Sequence, residues 1–196
     1  MHFSPLFLAT GFALLSTCVS ALTSPPSTSS PIAQSRLEAR SSVSKTCHPA
    51  SSDFLYQIHA DGVSKLGFFA KGSYIRLATN LHAPGFEDSD EIAWNLIHQT
   101  GKTFKIQTPD GKKCATSRGK NDKVGLASCK SSKTNFEISC VSCGKTSCGD
   151  PYANKCTIRS IDRIAKGQCL SRVGKLIKTE KCNSKDKKQL WGFNLA

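Results

Sequence analysis

Cysteines are the most reactive residues of this 196-residue chain, and four of them lie close together in the sequence. Their spacing is Cys140-x2-Cys143-x4-Cys148-x7-Cys156. Four thiolates could hold zinc, but this is not the spacing of a common zinc module. The CxxC pair also lacks the βαβ surroundings of a thioredoxin-like redox motif. Neighbouring glycine, serine and proline favour a tight loop closed by disulfides, so we expect neither a metal nor a cofactor.

Residues suited to acid–base catalysis do not form a recognised motif. The histidines His48, His59, His82 and His98 all lie in the first half of the chain, and HExxH, GxSxG and P-loop motifs are absent. A cysteine–histidine pair would need a free thiol. We expect the histidines to be surface or turn residues, and the acidic run 87–91, which lacks a calcium-loop spacing, to be a solvated loop. No residue is predicted to be catalytic, and the protein is predicted not to be an enzyme.

The N-terminal region is predicted to be removed or flexible. Residues 1–21 contain no Asp, Glu, Lys or Arg and end in Val19-Ser20-Ala21, which is typical of a cleaved signal peptide. Residues 22–45 are rich in Ser, Thr and Pro, as expected of a disordered pro-segment or linker. A site ending at Arg40 resembles the monobasic processing sites of secreted fungal proteins, and both cleavage there and an uncut linker stay open. We therefore expect a secreted, extracellular protein with one domain at 46–196 and no membrane span.

The number of cysteines raises a question of pairing. Cys18 lies in the expected signal peptide, which leaves nine of the ten cysteines. Most of the nine should be oxidised in a secreted chain, with one thiol free, capped or linked to another chain. Counting alone does not fix the pairs.

The secondary-structure elements that must position these residues belong to an internal sequence repeat. Phe104-Lys105-Ile106 aligns with Cys156-Thr157-Ile158, and Tyr56-Gln57-Ile58 begins a more divergent first copy. Each copy ends in an aromatic-x-apolar triplet, and the three triplets begin at Trp94, Phe136 and Trp191. Short alternating apolar runs separated by Gly, Asp, Asn and Ser predict β-strands. The fold is therefore predicted to be all-β, with about a dozen strands in three similar units.

The last unit resembles the repeat of ricin B-type β-trefoil lectins. It contains Gly167-Gln168-Cys169-Leu170, then Cys182, then the QxW triplet Gln189-Leu190-Trp191. The resemblance implies a β-trefoil stapled by disulfides within its units, and we expect the pairs Cys114–Cys129 and Cys169–Cys182. It also implies that Trp94, Phe136 and Trp191 are core residues. The pairing of the remaining cysteines, Cys47, Cys140, Cys143, Cys148 and Cys156, stays open.

The sugar-binding positions of that family are changed in this chain. The family has an Asp after the early cysteine, an aromatic platform before the later one and an Asn ahead of QxW. The corresponding residues here are Thr116 and Ser171, Ala127 and Glu180, and Lys133 and Lys188. Since an Asp would accept hydrogen bonds from sugar hydroxyls and an aromatic face would cover the sugar's C–H surface, the resemblance implies that the usual galactose site is lost.

Charge is distributed unevenly along the chain. Residues 46–100 have a net charge of −3, whereas residues 101–196 carry 21 basic and seven acidic residues. The densest basic run consists of Lys175, Lys178, Lys181, Lys185, Lys187 and Lys188. On one face these lysines would form a polyanion-binding patch; if scattered, they would only keep the protein soluble. Because lysine is a less specific reader of phosphate than arginine, no specific nucleic-acid recognition is expected.

Together these patterns predict a secreted, non-catalytic and monomeric binding protein. Its most concrete form is a fungal effector with a degenerate ricin B-like lectin fold, binding a host or cell-wall glycan, an acidic polymer or a host protein. The alternative is a trefoil-type protease inhibitor acting through an exposed loop, at 80–91 or 144–155.

Overall fold

The computed structural model describes residues 46–50, 55–79 and 93–196. The expected signal peptide, the segment 22–45 with Arg40, His82 and the candidate loop 80–91 lie outside the described residues. The described part contains three short 3-10 helices, at 132–134, 163–165 and 187–189, and no α-helix. None of its helices has the length and apolar character needed to cross a membrane.

The described part has thirteen strands. They are β1 (Leu55–Ala60), β2 (Val63–Lys71), β3 (Tyr74–Thr79), β4 (Ala93–His98), β5 (Thr103–Gln107), β6 (Lys113–Thr116), β7 (Gly125–Ser128), β8 (Phe136–Ser139), β9 (Ser142–Lys145), β10 (Pro151–Ser160), β11 (Gln168–Val173), β12 (Leu176–Lys181) and β13 (Trp191–Leu195).

Six strands close into a barrel. Antiparallel pairing runs in a ring from β1 to β4, β5, β8, β10, β13 and back to β1. These strands alternate between buried and less buried residues; in β5, for example, Phe104 and Ile106 are buried between half-buried neighbours. Because successive side chains of a strand point to opposite faces, this alternation sends one face of each strand into the barrel. A closed ring also leaves no open strand edge.

Three hairpins, β2–β3, β6–β7 and β11–β12, cover one end of the barrel. Their backbones are hydrogen-bonded to one another around a pseudo-threefold axis. Ile75 N–H donates to the carbonyl of Val124 over 3.1 Å, and Val124 N–H donates to the carbonyl of Ile177 over 2.9 Å. The three side chains are fully or almost fully buried. Each repeat therefore supplies one equivalent residue to a shared apolar centre.

The core contains the aromatic residues that end the three units. Trp94, Phe136 and Trp191 are completely buried. Trp191 donates its indole N–H to the carbonyl of Leu170 over 3.1 Å, and its ring lies edge-on to Phe68, with centroids 4.8 Å apart. Burial of such rings, with the indole N–H satisfied, is a dominant contribution to a core of this size. The arrangement confirms the prediction of a β-trefoil with three divergent repeats.

Strand β9 is an addition to the threefold pattern and lies in the cysteine cluster. It forms a hairpin with the first half of β10. Cys140 pairs with Cys156 across the base of this hairpin, and Cys143 on β9 pairs with Cys47. Cys148 is also disulfide-bonded. Disulfides thus occupy all four cysteines of the cluster, which excludes the zinc–thiolate alternative and supports the stapled loop.

The two cysteine pairs implied by the lectin resemblance are both present. Cys114 is bonded to Cys129, and Cys169 is bonded to Cys182. The disulfide Cys114–Cys129 lies at the open end of hairpin β6–β7. The disulfide Cys169–Cys182 lies at the open end of hairpin β11–β12. No cysteine in the described ranges is free, so of the three alternatives for the odd cysteine the free thiol is wrong there.

Candidate functional site

The structure divides the six lysines of the basic run into two groups. Lys175 and Lys178 belong to hairpin β11–β12, at the end of the barrel that the hairpins cover. Lys185, Lys187 and Lys188 follow β12 in an exposed segment that contains the third 3-10 helix. Lys181 lies between them at the end of β12. The run is therefore neither one patch nor a random scatter.

The first group meets basic residues from the other two repeats. Lys178 forms a β-bridge with Lys123, and Leu176 pairs with Arg76. The carbonyl of Lys175 accepts a hydrogen bond from Leu77 N–H over 3.0 Å. These connections exist because all three hairpins exchange backbone hydrogen bonds around the pseudo-threefold axis.

Strand alternation turns these basic side chains outward. Ile75, Val124 and Ile177 point into the core, so the residues beside them along each strand point away from it. We call the resulting group the axial surface. It consists of Tyr74, Arg76, Lys123 and Lys178, which lie next to those core residues, together with Lys175 in the turn between β11 and β12 and Arg118 in the loop between β6 and β7.

Arg118 has a defined position on the axial surface. Its guanidinium carbon lies 4.6 Å from the centroid of the Tyr74 ring, and its Nη1 donates a hydrogen bond to the Tyr74 hydroxyl over 3.3 Å. The ammonium of Lys123 lies 5.7 Å from the same centroid. Both distances are within the range of cation–π attraction. One tyrosine ring thus attracts two cations.

A glycine makes this position of Arg118 possible. Tyr74 pairs with Gly125 across β3 and β7, and the guanidinium lies directly against Gly125. A Cβ at residue 125 would lie 2.5 Å from Nε of Arg118, closer than real contacts allow. The missing side chain therefore lets the guanidinium lie flat on the strand.

The positive charge of the axial surface is not neutralised by ion pairs. The described ranges contain two ion pairs, Lys112–Asp110 and Arg159–Glu137, and neither involves an axial residue. The nearest carboxylate in sequence, Asp122, accepts a hydrogen bond from the backbone N–H of Lys123 over 2.7 Å. Five cations with free donors create a positive potential that attracts anions.

The pair Lys112–Asp110 shows how a lysine elsewhere is compensated. The hydroxyl of Thr108 donates to the Asp110 carboxylate over 2.6 Å, and Lys112 N–H donates to it over 3.0 Å. These hydrogen bonds, together with the nearby Lys112 charge, hold the pKa of Asp110 below its usual value. Asp110 therefore stays ionised at neutral pH, and the field of Lys112 is reduced.

Lys185, Lys187 and Lys188, which we call the loop lysines, are attached differently. Their segment is held by Gln189, whose amide N–H donates to the carbonyl of Lys181 and whose oxygen accepts from Asn183 N–H. All three lysine side chains are exposed, and no side chain among the described residues forms an ion pair with their ammonium groups. Their charges are therefore mobile, in contrast to the placed guanidinium of Arg118.

The residues at the changed sugar-binding positions have surroundings that the structure describes. Thr116 and Ser171, which replace the family's Asp, are buried, and Thr116 donates its hydroxyl proton to the backbone. A pocket beside Gln189 is lined by Glu180 and Asp186 instead of an aromatic platform. No aromatic residue lines this pocket, and the loss of the usual galactose site stays a prediction.

The three histidines of the described residues occupy two different settings. His48 and His98 are exposed, with their rings stacked 6.3 Å apart beside Phe104. His59 is only 8% exposed, so the prediction of a surface or turn residue is wrong for it. It lies in β1 opposite Gly192, where the lack of a Cβ gives the ring room against the neighbouring strand. The structure brings no group of three metal-ligating residues together in its described part.

The candidate inhibitor loop 144–155 is mostly a β-hairpin. Lys145 pairs with Pro151, and the turn is closed by a hydrogen bond from Thr146 N–H to the carbonyl of Asp150. Residues 144–149 are exposed, and the disulfide Cys140–Cys156 holds the base. The exposed backbone is thus a short, braced tip.

Axial residues outside the lysine run were not identified from the sequence. Tyr74, Arg76, Arg118 and Lys123 are far apart along the chain and belong to two other repeats. A usable signal was present: Ile75, Val124 and Ile177 are equivalent positions, so their neighbours must lie around one axis. Finding it would have required the repeats to be aligned strand by strand through the hairpins.

Comparison with known proteins identifies the fold. No protein-family model matches the sequence, and no match was found among curated proteins. The structure is similar to the apo β-trefoil protein BEL, with a TM-score of 0.52 and 17% identity over 76% of this chain and 97% of that one. It is also similar to part of a mosquitocidal holotoxin, with a TM-score of 0.52 and 13% identity over 75% of this chain and 17% of the toxin chain. The chain has a β-trefoil fold.

Proposed function

We propose that this protein is a non-catalytic binding protein whose ligand is an acidic polysaccharide outside the cell. The observation that carries the proposal is the axial surface, where five cations from three repeats lie together without a carboxylate partner in the described ranges. Long polyanions bind such surfaces by exchanging their counterions for protein charges. The ricin B-type resemblance of the last repeat supports a glycan as the polymer.

Two other classes of polyanion fit the surface less well. Proteins that bind single-stranded nucleic acid stack bases on aromatic side chains, and membrane-surface proteins insert large apolar ones. The aromatic residue of the axial surface, Tyr74, is half-buried, and its ring contacts Arg118 and Lys123. The exposed large hydrophobic residues of the described part are five scattered aliphatic ones, Val63, Ile97, Val141, Ile161 and Ile164. A charged polysaccharide needs neither aromatic side chains that stack bases nor apolar side chains that insert into a membrane.

The setting of this function follows from the disulfides. Four pairs, at 47–143, 114–129, 140–156 and 169–182, are consistent with an oxidising extracellular environment. We propose a secreted effector of fungal type that binds acidic polymer of a host surface or cell wall. The altered lectin positions support this choice over a neutral galactoside.

Binding of wild-type protein to immobilised glycans at two salt concentrations tests the proposal. We expect heparin and polygalacturonate to bind, with affinity falling at least tenfold between about 50 and about 300 mM salt because each contact releases counterions. Neutral galactan and chitin serve as controls and should not bind. Salt-insensitive binding to a neutral sugar would contradict the proposal.

A second candidate function is protease inhibition through the tip of hairpin β9–β10. The observation that favours it is the exposure of residues 144–149 above two disulfides. Inhibition assays against serine and cysteine proteases, with Lys145→Ala as the paired variant, separate this function from glycan binding. Inhibition that Lys145→Ala abolishes would support it, and its absence would leave the polysaccharide proposal unaffected.

A further inference from the structure

The axial surface contains one place where the geometry is specific. Lys123 has one side-chain contact, with the Tyr74 ring, whereas the Arg118 side chain is placed by both Tyr74 and Gly125. We propose that Tyr74, Arg118 and Lys123 form a seat for a single sulfate or carboxylate group of the polymer. This inference rests on the proposed function and names the anchoring subsite of the axial surface.

The first argument concerns the hydrogen-bond donors that the cluster leaves available. The guanidinium has five N–H donors in a planar fork, and its Nη1 is directed to the Tyr74 hydroxyl. Since that hydroxyl accepts from Arg118, its own proton is left to donate. The ammonium of Lys123 has no hydrogen-bond or ion-pair partner among the described residues. Donors of three kinds thus lie around the Tyr74 ring.

The second argument concerns pre-organisation. A free arginine loses much rotamer freedom when it binds an anion, but the contacts with Tyr74 and Gly125 have already reduced that freedom here. A planar fork also binds carboxylate or sulfate through two parallel hydrogen bonds, which an ammonium group cannot do. Arg118 should therefore contribute more than any single exposed lysine.

The third argument concerns Gly125. The backbone at Gly125 is not in the left-handed region, so alanine can adopt the same backbone conformation without strain. Its Cβ would meet only the flexible end of Arg118 and would push the guanidinium off the strand. Gly125→Ala therefore disturbs the seat without changing the charge of the protein.

The experiment measures heparin binding by four variants of the full chain at low salt. Arg118→Ala should weaken binding about tenfold, as expected for loss of a charge-assisted hydrogen bond, and Lys123→Ala about threefold. Gly125→Ala should weaken it about threefold at constant net charge. Arg163→Ala, which removes an exposed arginine outside the axial surface, should change it less than twofold. Thermal unfolding midpoints within a few degrees of wild type confirm that each variant is folded.

A titration with inorganic sulfate, followed by nuclear magnetic resonance, tests the seat separately from the polymer. The Arg118 Nε–H and Gly125 N–H resonances should shift together in wild type, and the Arg118 shift should be reduced in Gly125→Ala. Sulfate shifts at this position without polymer binding would support the seat and overturn the polysaccharide function. Polymer binding that is equally sensitive to Arg118→Ala and Arg163→Ala, with no sulfate shift, would overturn the seat and leave the function standing.

Discussion

The axial surface and the loop lysines carry charge of the same sign on very different supports. Four of the six axial residues lie next to Ile75, Val124 or Ile177, which are buried and tied together by backbone hydrogen bonds. The loop lysines lie on an exposed segment that is held mainly through the Gln189 side chain. Density of charge along the sequence is therefore a poor guide to where charge is fixed in space.

The difference matters for recognition because a fixed cation loses less freedom when it binds. Exposed lysines contribute a general, salt-screened attraction, whereas an arginine placed by packing contributes directional hydrogen bonds. The axial surface should thus set affinity for particular anionic groups, and the loop lysines should add long-range attraction. Three changes test this division, beginning with the support beneath the axial surface.

Replacing Ile177 by alanine should have the largest effect on stability. The side chain is fully buried at the axis, so its truncation removes apolar contacts and leaves a cavity, at a cost of about 2–5 kcal/mol. Chemical denaturation followed by tryptophan fluorescence measures the loss, since Trp94 and Trp191 are in the core. Ile164→Ala, at a side chain 42% exposed, is the control and should cost no more than about 0.5 kcal/mol.

Equal costs for the two isoleucines would show that the axial centre is not tightly packed. The contrast between the axial surface and the loop lysines would then lose its physical basis. A large cost at Ile177 alone would show that the axial surface rests on a tightly packed centre.

Sequence reasoning succeeded where a local pattern had a single structural meaning. The triplets beginning at Trp94, Phe136 and Trp191 mark the last strand of each unit, since a repeated aromatic-x-apolar triplet has few alternatives in an all-β chain. The short-range pairs Cys114–Cys129 and Cys169–Cys182 followed from the family resemblance. These features depend on neighbours within one repeat.

Features that depend on several repeats could not be derived in the same way. Cys47 and Cys143 are 96 residues apart and pair only because the fold brings the N-terminal segment to β9. The seat of Arg118 needs Tyr74 from another hairpin and a glycine at residue 125, neither of which carries a charge signal. His59 was expected at the surface because polar residues usually are, but Gly192 opens a space beside it. Each case is a long-range contact that the local pattern does not encode.

Removing the disulfide Cys169–Cys182 should loosen the support of the loop lysines. Cys182 directly precedes their segment, and the double variant Cys169→Ala/Cys182→Ala should lower the free energy of unfolding by about 3 kcal/mol, as expected for a loop of this length. Hydrogen exchange should rise in residues 183–189 while the amides of Ile75 and Val124 stay protected.

The matched control is Cys114→Ala/Cys129→Ala, which opens a disulfide loop of similar length in the second repeat. It should cost a similar free energy without faster exchange at 183–189. Faster exchange at the axial amides in the first variant would mean that the two regions are mechanically coupled, against the division drawn above.

The smallest effect is expected from the loop lysines themselves. Lys185→Ala/Lys187→Ala/Lys188→Ala should weaken heparin binding less than about threefold, because exposed and mobile charges contribute little individually, and stability should change by no more than about 0.5 kcal/mol. The comparison variant, Arg118→Ala/Lys123→Ala/Lys178→Ala, also removes three positive charges, but from the axial surface. It should weaken binding far more and reduce the slope of affinity against salt more strongly, since it removes closer contacts with the polymer. A loop variant that weakens binding as much as the axial one would show that net charge, and not placement by the three repeats, determines how this protein holds its ligand.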